Sequence, residues 1–115
     1  MATKAEVQRQ LEILMARLDG NQAGVRSAIP GRRLLRCEVP DLAAAWWAVV
    51  DQGHVSPPTE AAPGDGRPAD ITLRVASDDL VDLVEGRVSF LSAFSAGRVR
   101  VDANLLDLLR LRSLL

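Results

Sequence analysis

The stretch that decides the fold is ADITLRVASDDLVDLVEGRVSFLSAFSAGRVRVDA, residues 69–103. Hydrophobic and polar residues alternate over 71–75 and again over 98–102, a period of two that is typical of half-buried β-strands. Between them, Ser77 followed by two aspartates predicts a helix start, because a serine oxygen can accept from an unpaired backbone amide. This helix is expected to end near Gly86, and a second, over 90–96, at Gly97. The order is strand, helix, helix, strand.

The region before this stretch predicts a helix and a hairpin. A capping box, Thr3 with Glu6, and five hydrophobic residues at helical spacing indicate a helix over 4–19. Residues 21–31 predict a loop because of their glycines and proline. Residues 33–39 alternate as a strand, and 46–56 predict a hairpin that turns at Gly53, although the alanines of 43–50 also permit a helix. Four prolines and two glycines make 57–68 a loop.

The bulk composition limits the function classes. One domain spanning 1–115, of class α+β with helices on a mixed sheet, fits this element order and length. The net charge of −1 argues against a nucleic-acid partner. A polar N-terminus and the lack of a long apolar run predict neither a signal peptide nor a transmembrane segment. A single cysteine suits a reducing compartment, and we expect the protein to be cytoplasmic.

Residues with catalytic potential are few. His54 stands beside the predicted turn with no second His or Cys nearby, and Cys37 alternates with apolar residues as an inert core thiol would. Asp78 and Asp79 are adjacent and cannot face each other on a helix, so capping explains them better than acid–base chemistry. The sequence therefore predicts no enzyme, no metal site and no cofactor.

The C-terminal NLLDLLRLRSLL, residues 104–115, predicts a final leucine-rich helix over 103–115. At about 100° per residue the leucines surround the helix, so the sheet covers only one side of it. Two candidates can cover the other side of the helix. One is a second subunit, which would give a homo-oligomer, and the other is an apolar ligand. A membrane surface fits least, because Arg110 and Arg112 project to nearly opposite sides.

Residues 69–109 resemble the sterol carrier protein 2 family. The matching positions are Ala69, Asp70, Thr72, Ser77, Asp79, Leu80, Leu83, Gly86, Ala93, Phe94 and Gly97. Residues 36–55 resemble the first strands of that family. The chain departs from the pattern at Ala103-Asn104, where Gly-Asp is frequent, and at Leu106, where a second glycine is common. The ending Ser113-Leu114-Leu115 lacks the central lysine of a peroxisomal signal.

The resemblance implies a five-stranded sheet covered by helices, with an apolar tunnel for a fatty acyl chain, a sterol or a similar lipid and no catalytic residues. We expect this ligand to lie between the sheet and the final helix, and Arg98 or Arg100 to meet its head group. The alternative is a ligand-free interaction or dimerisation module whose leucine-rich tail is buried by a partner. The expected lining residues are Trp47, Phe90, Phe94, Leu105, Leu108 and Leu109.

Overall fold

A computed structural model describes residues 1–104, 106, 107 and 109. Most of the predicted final helix, including Leu105 and Leu108, lies outside the described residues. The helices are α1 (Lys4–Asp19), α2 (Gln22–Ala28), α3 (Ser77–Val84) and α4 (Phe90–Ser95), with a 3-10 turn at Pro40–Leu42. The strands are β1 (Arg32–Val39), β2 (Ala44–Asp51), β3 (His54–Val55), β4 (Thr59–Glu60), β5 (Ile71–Val75) and β6 (Val99–Ala103).

The strands form one mixed sheet in the order β3-β2-β1-β5-β6, and the short β4 also pairs with β2. β1 and β5 are parallel, while the other pairs are antiparallel. β3 and β4 pair with opposite ends of β2, so together they occupy one edge position and the sheet is five positions wide. This confirms the predicted α+β class.

The hairpin between β2 and β3 depends on Gly53. Its φ is +85°, in the left-handed region that L-residues rarely adopt. A Cβ at this position would lie 2.5 Å from the backbone oxygen of Gln22. Backbone conformation and close packing against α2 therefore both require glycine here, and β2 is a strand as the hairpin predicts.

Two segments predicted as loops contain regular structure. Within 21–31, the side chain of Asn21 caps α2 by accepting from the Gly24 amide, and the helix buries Val25 and Ala28. Tertiary packing thus overrides the helix-breaking composition of a short segment. Within 57–68, Thr59 and Glu60 pair with β2 as β4.

Ser77 is the first residue of α3 and does not cap it as predicted; Ala76 is the N-cap residue. The Ser77 Oγ accepts from the Ala2 amide at 3.1 Å and donates to Oδ2 of Asp41 at 2.5 Å. The Ser77 amide also donates to Asp41. Ser77 therefore ties the N-terminus to the 3-10 turn, and its hydrogen bonds lower the pKa of the Asp41 carboxyl.

The sheet has a helix-facing side and an outer side. Strand register places Cys37, Trp46, Leu73 and Val101 in one row across four strands. These residues face the helices and belong to or pack against the main hydrophobic core. Because side chains alternate along a strand, their neighbours Arg36, Trp47, Thr72, Arg100 and Asp102 project to the outer side.

Candidate functional site

A cavity of about 630 Å³ lies between the helix-facing side of the sheet and the helices. Such a volume is within the range of pockets that hold small organic ligands, about 300–1,000 Å³. Strands β1, β2, β5 and β6 supply its floor. The floor residues are Leu35, Cys37, Trp46, Ala48, Val50, Ile71, Leu73 and Val101.

The helices supply the walls of the cavity, mainly through branched aliphatic and aromatic side chains. The hydrophobic stripe that predicts α1 is the stripe that faces the cavity. Arg17 and Arg36 are the charged residues among the described residues that line it. The wall residues are Leu11, Leu14, Met15 and Leu18 of α1, Val25 and Ile29 at α2, Leu80, Leu83 and Val84 of α3, and Phe90, Leu91 and Phe94 of α4.

The cavity has an apolar mouth. Leu91, Phe94 and Leu109 line it and yet are 64%, 47% and 56% exposed. Phe90 and Phe94 lie in stacked orientation with their ring centroids 6.3 Å apart. Large exposed hydrophobic groups cost solvation free energy unless something covers them, so their position at a cavity entrance indicates a path for an apolar molecule.

The C-terminal segment, described at residues 104, 106, 107 and 109, lies beside this mouth. Asn104 accepts from the Asp107 amide at 2.8 Å, and the buried Asp107 carboxylate pairs with Arg33 of β1 at 3.1 Å. These contacts hold the segment on the same side of the sheet as the cavity and place Leu109 in its wall.

Of the residues predicted to line a ligand site, the structure brings Phe90, Phe94 and Leu109 together around the cavity. Trp47 also borders it, but its side chain projects to the outer side, where the guanidinium carbons of Arg36 and Arg67 lie 4.8 and 4.6 Å from its ring centroid. Trp46 has its side chain on the cavity side, where its Nε1 donates to Gln8 at 2.6 Å. Trp46 is thus a second tryptophan at the cavity that the sequence did not single out, because the strand register that turns it toward the helices was unknown.

The two predicted head-group arginines do not line the cavity. Arg98 pairs with Asp79 at 2.6 Å and with Asp82 at 3.0 Å, which joins the start of β6 to α3. Arg100 projects to the outer side of β6. In the structure Arg98 therefore serves to position α3, and an interaction of either arginine with a ligand stays a prediction.

Arg17 is a candidate that sequence reasoning missed. It lines the cavity, and its Nη1 donates to the Val84 carbonyl at 2.7 Å. No carboxylate lies within ion-pair distance of it among the described residues. It also lines a second pocket of about 440 Å³ between α1 and α3, where Arg9 and Gln10 lie. The sequence gives no local signal for it, because Arg17 is exposed and projects about 100° away from Leu18 on the hydrophobic stripe of α1.

Reactive groups around the cavity are few. Burial, with a smaller contribution from Glu38, raises the pKa of the Cys37 thiol to about 12, so it stays protonated at neutral pH. His54 is exposed on β3, 3.7 Å from Asp19. Within the described part of the chain, no cluster of His, Cys, Asp and Glu has the arrangement to hold a metal ion. The described lining of the cavity is mostly hydrophobic.

The profile of the SCP-2 sterol transfer family matches residues 6–115. The chain belongs to this family. Its members bind or transfer sterols and other lipids. A search of curated proteins finds no match to the sequence.

Several solved structures share the fold. The first relative, a double mutant of the sec-alkyl sulfatase PisA1, is 17% identical with a TM-score of 0.62; the match covers 89% of this chain and 16% of that one. The UbiJ-SCP2 ubiquinone synthesis protein is 21% identical, with a TM-score of 0.58 and coverage of 99% and 92%. Sterol carrier protein 2 like 2 from Aedes aegypti is 15% identical, with a TM-score of 0.58 and coverage of 95% and 99%.

This chain thus spans about one sixth of the sulfatase and most of the two smaller proteins. At these identities the structural likeness establishes the SCP-2 fold.

Among the helices that the structure describes, none has both the length and the hydrophobicity that a membrane-spanning helix requires.

Proposed function

We propose that this SCP-2 protein is a non-catalytic lipid carrier that holds a fatty acyl chain, a sterol or a similar apolar ligand in the cavity between the sheet and the helices. The observation that carries the proposal is the hydrophobic cavity of about 630 Å³, whose exposed mouth residues Leu91, Phe94 and Leu109 are also part of its wall. Membership of a sterol transfer family supports it.

Hydrophobic burial is the main driving force available for such binding. Each methylene removed from water contributes about 0.8 kcal/mol, so about twelve buried methylenes contribute roughly 10 kcal/mol. A gain of this kind comes from apolar surface and not from polar contacts, which agrees with a cavity whose described lining carries charge only at Arg17 and Arg36.

The cavity geometry supports some of the proposed contacts, and the others are carried over from the sequence. Trp46 and Leu73 form the cavity floor beneath the ligand, and Phe90 and Phe94 lie where the ligand enters the cavity. Arg17 meets an anionic head group at the α1 side of the cavity. The remaining ligand contacts that the sequence predicts are Trp47, Leu105, Leu108, Leu109, Arg98 and Arg100.

Adjacent residues of β5 offer a matched test. Leu73→Trp adds an indole to the cavity floor, whereas Thr72→Trp adds the same group one residue earlier on the outer side. We expect Leu73→Trp to weaken binding of a fluorescent fatty acid by about tenfold or more, equivalent to about 1.4 kcal/mol. Thr72→Trp should leave the affinity unchanged.

Titration of the probe against both variants distinguishes the proposal from its alternative. Equal affinity of the two variants would contradict binding in this cavity. A wild-type protein that binds neither fatty acid nor sterol, and whose leucine-rich tail mediates association, would instead support a ligand-free interaction module. Circular dichroism of each variant verifies that the fold is intact.

A further inference from the structure

β6 is the last strand of the sheet at the end opposite β3. In the described part of the chain, β5 is the one strand bonded to it. Half of the backbone N–H and C=O groups of β6 therefore point away from the sheet without a strand partner. An edge of this kind accepts a further strand in antiparallel or parallel orientation.

The outer side of this edge carries two exposed charges of opposite sign. Arg100 and Asp102 stand two residues apart on β6, and neither forms an ion pair with any described residue. On β5 the residue opposite Arg100 is Arg74, which is of like charge and pairs with Glu38 instead. The sheet itself thus leaves the charge of Arg100 without compensation.

The order of charges along β6 is self-complementary when two copies of the strand pair antiparallel in one register. In an antiparallel pair of β6 strands with its two-fold axis at Val101, Arg100 opposes Asp102 of the second copy, and Asp102 opposes Arg100 of that copy. Moving the axis to Arg100 or Asp102 places like charges opposite each other, which is unfavourable. Charges often protect an edge strand against pairing, but alternating signs with this symmetry favour one specific register.

Apolar surface adjoins the same edge. Apart from Met1, the large exposed hydrophobic residues of the described chain are Leu91, Phe94, Leu106 and Leu109. They belong to α4, which packs against β6, and to the segment that directly follows β6. A two-fold axis at Val101 brings the α4 helices of the two copies toward each other on the helix-facing side.

We infer that the β6 edge is a homodimer interface in which two copies join antiparallel about Val101 into one continuous sheet. Arg100 and Asp102 select the register, and the flanking apolar residues add buried area. Since the charge pairs are near solvent, the dimer is sensitive to ionic strength. Strand pairing along β6 defines this interface. Leu106 and Leu109 of the leucine-rich tail, and Leu91 and Phe94 of the cavity mouth, lie only at its margin.

Charge reversal on the full chain tests the inference by sedimentation equilibrium over a range of protein concentrations at low and high salt. Arg100→Glu or Asp102→Lys alone opposes like charges twice in the symmetric dimer, and each is expected to raise the dimer dissociation constant at least about tenfold. The double variant Arg100→Glu/Asp102→Lys restores opposite charges across the axis and recovers most of the wild-type affinity. Arg9→Glu, on α1, is the matched control and has no effect.

Each other outcome overturns the inference. If the wild-type protein stays monomeric at all concentrations, the proposed homodimer does not exist. A dimer that tolerates both single reversals has its contact elsewhere, for example on the leucine-rich tail. If the double variant dimerises as weakly as the single variants, the register about Val101 is excluded. Binding of a fluorescent fatty acid is measured in parallel. It shows whether the cavity binds lipid, whatever the sedimentation result.

Discussion

Arg33 at the start of β1 donates from Nε to Oδ2 of Asp107, 3.1 Å away in the C-terminal segment. Asp107 is 1% exposed, and Asn104 bonds to the same carboxylate oxygen. The hydrogen bond and the charge of Asp107 raise the pKa of the Arg33 guanidinium. A charged contact that spans most of the sequence thus fastens the segment that carries Leu109 to the first strand.

Loosening this contact is expected to open the cavity. Asp107→Asn keeps the side-chain size but removes the charge, so the C-terminal segment should leave the cavity wall more often. We predict that dissociation of a bound fluorescent fatty acid becomes about five- to tenfold faster, a change of about 1 kcal/mol. Stopped-flow displacement measures this rate. The control is Arg32→Gln, adjacent to Arg33 and exposed; equal rates for Asp107→Asn and wild type would show that the segment does not retain the ligand.

Arg17 is expected to discriminate between charged and neutral ligands. It lines the cavity without a carboxylate partner among the described residues, so the carboxylate of a fatty acid supplies the missing anion. We predict that Arg17→Gln lowers affinity for the acid by about three- to tenfold and leaves affinity for its methyl ester unchanged. Competition against one fluorescent probe compares the two ligands. An equal loss for both would mean that Arg17 acts through packing, and no loss would place the head group elsewhere.

Cys37 reports on the floor of the cavity. A rise in its thiol pKa from 9.0 to about 12 reduces the thiolate fraction about a thousandfold at neutral pH. We therefore expect a disulfide reagent to label native protein at least about a hundredfold more slowly than protein unfolded in urea. Labelling should slow further with fatty acid present. Native and unfolded rates that coincide would contradict the burial of this thiol.

Acid stability should depend on Asp41. Its pKa is lowered by the hydrogen bonds from Ser77, so the carboxylate form is favoured in the folded state. This stabilisation is complete above the ordinary aspartate pKa, about 3.9, and is lost as the pH falls through the lower folded value. We predict that Asp41→Asn is less stable than wild type at pH 6 and that the difference narrows toward pH 2–3. Urea unfolding at each pH measures it, and a difference independent of pH would contradict the assignment.

Much of the fold follows from local patterns in the sequence. β1, β5 and β6 alternate cleanly because one side of each strand faces the helices and the other faces outward. α1 keeps one hydrophobic stripe because a single side of it contacts the sheet and the cavity. The α2 helix was not predicted, since Asn21 caps it and buried Val25 and Ala28 stabilise it only once the chain is folded.

The candidate site was harder to predict because it depends on which strands are neighbours. Trp46 and Trp47 are adjacent in sequence, and only the pairing of Trp46 with Cys37 shows which one faces the helices. Arg17 likewise appears as an ordinary exposed helix residue until α3 is packed beside it and Val84 accepts its hydrogen bond. Arg98 has aspartate partners on α3 that no local pattern reveals.

Native mass spectrometry of the purified full chain shows whether the cavity holds lipid. We expect added mass of one lipid per chain, identified after organic extraction and displaced by a fluorescent fatty acid. Leu73→Trp should lose this added mass, whereas Thr72→Trp retains it. Protein that carries no lipid after purification, takes up none when fatty acid or sterol is added and binds no fluorescent fatty acid would contradict lipid binding in the cavity.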